Sequence, residues 1–243
     1  MPSGFGKSPA GMLAFVPRAR FAPRRLEAAI LAAHKAFPEG KQWDRIAQML
    51  PGVAANMMET QQYGSATFSW DRRPGWTSGY PVGGNFTFSR FVDYDKRIQW
   101  NGHETVGMLY DPGWTTGFPL AEQAAVILGV CRDAIDALAP DFAAVDGFGK
   151  NLYSSKVEGV DLRRKPWGAA LYGPEMVAAI GPDNFEGLDA FRVEPRPDGA
   201  MWVQASEDPF HAPPAVKAKL AKDLGLAKAL FEGKGPINHG AVG

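Results

Sequence analysis

Residues 120–138 read LAEQAAVILGVCRDAIDAL. Ala124, Ile127, Leu128, Cys131, Ile135 and Leu138 recur at three- and four-residue steps, which predicts an amphipathic helix over 120–138 with one buried stripe. Pro140 stops it. Upstream of this helix the period shifts towards two. Residues 66–70, 85–92, 99–100 and 105–110 predict strands. The turns between them are rich in glycine and proline, as in Arg73-Pro74-Gly75, Gly83-Gly84 and Asp111-Pro112-Gly113. Connections this short favour antiparallel hairpins.

Downstream, a strand is expected over Phe142–Val145, then a basic irregular stretch over 150–165. A short helix over Pro174–Ile180 opens on proline and closes at Gly181. Residues 188–193 and 200–205 form a hairpin around Asp198-Gly199, a strong tight-turn pair. A last helix runs over Pro214–Phe231. Near the N-terminus, helices are expected over Pro23–Phe37 and Gln42–Leu50. Helices flank strands without strict alternation, so the expected class is α+β, a single domain with an antiparallel sheet and helices packed on it. The expected organisation is an N-terminal arm over 1–22, the domain over 23–232 and a flexible tail over 233–243.

The chain has 243 residues, 45% apolar and 12% aromatic, with 26 basic and 26 acidic side chains. That composition excludes a disordered chain and a strongly basic nucleic-acid binder. The apolar run Met12–Val16 is too short for a signal sequence, and no stretch reaches the roughly 20 apolar residues of a membrane span. A single cysteine, Cys131, forms no intrachain disulfide and reads as a buried core thiol. The expectation is a cytoplasmic protein that meets neither nucleic acid nor membrane, a monomer or weak dimer.

Catalytic and metal patterns are missing. His34, His103, His211 and His239 are scattered, with no zinc spacing. No nucleophile elbow or phosphate loop appears, and Gly4–Ser8 lacks the first glycine of a P-loop. Asp93 and Asp95 lie on alternate positions, but without the spacing of a calcium loop. Neither an enzyme nor a bound cofactor or metal is therefore expected. The alternative is a hydrolase using His103 with Asp93 or Asp95.

Two features point to binding instead. Trp76, Tyr80, Trp114 and Phe118 sit in turns, where aromatic side chains make good interface anchors. Charge is also segregated. Residues 91–148 hold nine acidic side chains against three basic, and residues 171–211 hold eight against two, while residues 1–60 hold eight basic against four acidic. A neutral chain with that distribution can present an acidic face to a basic partner. The candidate partner-binding residues are Trp76, Tyr80, Asp93, Asp95, Asp111 and Trp114.

Lys165-Pro166-Trp167-Gly168-Ala169-Ala170-Leu171, Gly173-Pro174-Glu175-Met176-Val177, Ile180-Gly181, Gly199-Ala200-Met201-Trp202-Val203-Gln204 and Asp208-Pro209 follow in order. This series resembles the immunity protein 52 family of bacterial polymorphic toxin systems. The likeness spans residues 60–230 and is densest over 165–209. It implies an α+β, cytoplasmic, non-catalytic protein that neutralises a toxin delivered by a neighbouring cell. It further implies that the partner is a toxin effector, a restriction-endonuclease-like nuclease exported by type VI secretion.

Overall fold

Phe142-Ala143-Ala144-Val145 and Ala169-Ala170-Leu171-Tyr172 are apolar at every position, and every one of these side chains is buried. A strand that is apolar on both faces needs cover on both faces. The computed structural model supplies it, describing residues 10–16, 22–35, 63–70, 84–92, 98–99, 104–111, 120–147, 160–231 and 237–238. The strands in chain order are β1 (Ala10–Val16), β2 (Tyr63–Trp70), β3 (Gly84–Val92), β4 (Ile98–Gln99), β5 (Glu104–Asp111), β6 (Phe142–Gly147), β7 (Val160–Asp161), β8 (Ala169–Tyr172), β9 (Arg192–Pro195), β10 (Met201–Gln204) and β11 (Ile237–Asn238). The α-helices are α1 (Pro23–Lys35), α2 (Leu120–Leu138), α3 (Pro174–Ile180) and α4 (Pro214–Asp223).

Eight strands form one sheet in the order β2-β3-β5-β1-β6-β8-β10-β9, and each described pairing in it is antiparallel. Helices α1 and α2 cover one face through Leu26, Ile30, Ile127, Cys131, Ile135 and Leu138. Helices α3 and α4 cover the other through Met176, Val177, Ile180 and Leu220. Period two sorts the strands between these layers. Ala143, Val145 and Leu171 join the first cluster, and Phe142, Ala144 and Tyr172 join the second. The fold is α+β, with an antiparallel sheet and helices packed on it, as the sequence predicted.

Three expectations need correction. Residues 1–22 are not simply an arm, because residues 10–16 form β1. That strand sits inside the sheet, paired with β5 and β6 (Met12 opposite both Met108 and Val145). The glycines and prolines around its apolar run hid the strand. In the expected tail, β11 pairs with β4 and β7 (Ile237 opposite Gln99 and Asp161). The last helix ends at Asp223 rather than Phe231. Gly225 there adopts φ +65°. Its N–H donates to Lys222 O at 2.9 Å, and the Leu226 N–H donates to Ala221 O at 3.0 Å. This pair of bonds around a left-handed glycine closes the helix in a Schellman motif. The expected helix over 42–50 lies outside the described residues.

The buried stripe of α2 is wider than its sequence suggested. Val130 and Ala134 are buried with the others, whereas Leu128 is only partly covered. The helix closes at Ala139, a non-glycine residue at φ +46°, and the Arg25 guanidinium donates to Leu138 O at 3.3 Å. A left-handed alanine is strained, and glycine at that position is not. Ala139→Gly is expected to stabilise the protein by about 0.5–1 kcal/mol. Denaturant unfolding of the two proteins checks this.

Candidate protein-docking surface

Of the six candidate partner-binding residues, the structure places one. Asp111 ends β5, opposite Asn85 of β3. Trp76, Tyr80, Asp93, Asp95 and Trp114 lie outside the described residues, as does His103.

The second acidic segment of the sequence is fully described. Glu175 lies in the first turn of α3, where a carboxylate suits the positive end of the helix dipole. Gly181, at φ +95°, ends that helix and begins a 3-10 turn over Pro182–Phe185 that carries Asp183. Met176, Val177, Ile180 and Phe185 anchor this unit on Phe142, Ala144 and Tyr172 of the sheet. With its apolar side committed to the core, its charged side faces outward. Gly199, in the β9–β10 turn, packs against Pro174, bringing Asp198 beside the start of α3.

Glu175, Asp183, Glu186, Asp189, Asp198 and Glu207 are all exposed. Asp189 meets Lys219 of α4 at 3.3 Å with its own side chain 83% exposed, a contact of little energetic weight. Glu175, Asp183, Glu186 and Glu207 have no ion-pair partner among the described residues. Phe191 stands 52% exposed between Asp189 and Arg192. A large exposed apolar side chain in an acidic segment suits a protein contact, where charges steer a partner and a ring anchors it. The excess of acid over base in 171–211 was the signal for this surface. Nothing local in the sequence marked the exposure of Phe191, which lies just before the edge strand β9.

The segments behind this surface are held by polar groups. From α2, Arg132 bonds both carboxylate oxygens of Glu194, at 2.9 and 2.8 Å, and its guanidinium lies 5.3 Å from the centre of the buried Trp202 ring. Arg196 pairs with Asp136. The residues of the family resemblance turn out to set turns and strand starts. Trp167 donates from Nε1 to Leu162 O at 2.8 Å, and Asp208 caps the 209–211 turn by accepting from the N–H groups of Phe210 and His211. His211 is exposed and pairs with Asp208 at 2.8 Å. Cys131 is fully buried, and burial pushes its thiol pKa far up, so it is a core thiol.

A buried polar knot joins the sheet to α4. Asp146, 5% exposed at the end of β6, accepts from Lys217 Nζ at 3.0 and 2.8 Å and from the N–H groups of Gly147 and Gly168 at 2.8 and 3.3 Å. Burial pushes the Asp146 carboxyl above its ordinary range, opposed by the bond and charge of Lys217. Lys165 lies close enough to act on both groups. The 209–211 turn packs tightly on this knot. A Cβ at Gly168 would come 1.8 Å from Pro209 O, and one at Gly147 would come 2.4 Å from Phe210 O.

Among the described residues no group of three or more His, Cys, Asp or Glu side chains is placed to hold a metal ion, and no helix is long and apolar enough to cross a membrane. No family model matches the chain, and no curated protein matches it. A solved structure titled Pseudomonas aeruginosa T6SS protein PA0821 aligns over 96% of this chain and 79% of its own, at 11% identity and a TM-score of 0.49. At that identity and score the likeness carries no argument about this chain's role.

Proposed function

We propose that this protein is an immunity protein, which binds and neutralises a cognate antibacterial toxin without catalysing a reaction. The observation that carries this reading is the exposed acidic unit around α3. Glu175, Asp183 and Glu186 lack cationic partners among the described residues, and the exposed Phe191 follows them in the chain. The resemblance of residues 165–209 to the immunity protein 52 family supports the same reading. In the finer version, the toxin is a restriction-endonuclease-like nuclease of a type VI secretion system. A nuclease active site attracts phosphate and is ringed by basic groups, so an acidic inhibitor face complements it. The binding is one to one and takes place in the cytoplasm.

Co-expression tests the proposal. Cells making the cognate toxin are expected to survive when this chain is present and to die when it is not. Survival without it would overturn the reading, as would turnover of a substrate by the purified protein. Phe191→Ala is expected to weaken the complex at least tenfold, about 1.4 kcal/mol, while leaving unfolding free energy within about 0.5 kcal/mol of the parent. Titration calorimetry and denaturant unfolding separate the two effects.

A further inference from the structure

We propose that β9 is a dimerisation edge, where a second copy of this chain adds its own β9 antiparallel across a two-fold axis. Strand β9 pairs with β10 on one side and, among the described residues, has no strand on the other. The hairpin fixes which backbone groups face outward. Arg196 donates its N–H to Ala200 O at 2.9 Å, and its carbonyl accepts from the Gly199 N–H at 3.0 Å, so its polar groups point towards β10. Direction alternates along an antiparallel strand. Arg192 and Glu194 therefore bond β10 as well, while Val193 and Pro195 turn their backbone groups to the open edge. Proline stands where its missing N–H takes no bond from β10.

The strand is complementary to itself. Phe191-Arg192-Val193-Glu194-Pro195 alternates apolar and charged side chains, and its two charges are opposite. An axis through Val193 sets Arg192 opposite Glu194 of the second copy, twice over. An axis through Arg192 or Glu194 would oppose like charges, so charge selects the register. Both side chains can reach across, being 49% and 41% exposed, and their contact within one chain, at 3.9 Å, is weak. They share the face on which Glu194 meets Arg132, whereas Val193 packs on the opposite cluster with α3 and α4. Extending the pairing by one residue brings Phe191 opposite Pro195 of the second copy and covers a ring that is 52% exposed in the single chain. The backbone bonds are the Val193 N–H to the opposite Val193 O and the Phe191 N–H to the opposite Pro195 O, each made twice. Pro195 has no N–H to add, so the ladder is short and the dimer weak. A second copy and a toxin compete for Phe191, so the toxin meets the single chain.

Sedimentation velocity of the full-length chain alone, up to about 1 mM, provides the test, and its outcome does not depend on the toxin reading. An interface this small predicts a dissociation constant on the order of 100 µM. Arg192→Glu sets Glu opposite Glu194 and is expected to weaken the dimer at least about tenfold without lowering the melting temperature. Val193→Pro removes the outward N–H, takes no bond from β10 and is expected to abolish the dimer. Hydrogen exchange at the Val193 amide is expected to slow as concentration rises. A single chain throughout the concentration range would overturn the proposal, as would a dimer that both variants leave intact.

Discussion

Gly168→Ala is expected to destabilise the protein by about 4 kcal/mol or more, lowering the melting temperature by roughly 10 °C. The added methyl would lie 1.8 Å from the Pro209 carbonyl oxygen, a backbone atom. Neither side can retreat cheaply. The Gly168 N–H donates to Asp146, and its carbonyl accepts from Ala205 at 2.8 Å. On the other side, Phe210 of the same turn is packed in the core. Gly129→Ala is the control. No atom lies within 4 Å of its added methyl, and it sits inside helix α2. There the same chemical change is expected to stabilise by about 0.5–1 kcal/mol. Thermal unfolding of both variants checks the opposite signs. Similar melting temperatures would show that the close approach of Gly168 to the 209–211 turn is misplaced.

The second large effect is an asymmetry within the buried knot. Asp146→Ala leaves Lys217 and Lys165 facing each other without their carboxylate and is expected to cost about 3–5 kcal/mol. Lys217→Met removes one of two cations and keeps most of the aliphatic stem, so Lys165 remains to balance Asp146. Its cost is expected to be smaller by at least about 1 kcal/mol. Denaturant unfolding measures both. Equal losses would mean that Lys165 does not share the charge of Asp146.

These two sites also show where sequence reading stops. Helix α2 is legible because six apolar side chains repeat at helical spacing and Pro140 follows. The β9–β10 hairpin is legible because Asp198-Gly199 specifies its turn. Strand β8 has no period of two, since the layers on both faces require apolar residues throughout Ala169–Tyr172. Strand β1 is seven residues whose partners, β5 and β6, lie about 95 and 130 positions away in the sequence, so nothing local announces it. Gly225 did mark the end of α4, but it reads as a tolerated interior glycine until its positive φ is seen. The Asp146–Lys217 pair spans 71 positions and is visible only in three dimensions. On the surface, the excess of acid over 171–211 was countable from the sequence, whereas the exposure of Phe191 is visible only in three dimensions.

The account predicts that carboxylates on α3 and the following turn steer a basic toxin into place. The most direct measurement is the association rate with the cognate toxin of the proposed function, followed by stopped flow at several salt concentrations. Glu175→Lys, Asp183→Lys and Glu186→Lys are combined in one variant. At low salt the variant is expected to associate at least about tenfold more slowly than the parent, and the two rates should converge as salt screens the charges. Identical rates with identical salt dependence, in a variant that remains folded, would contradict the account.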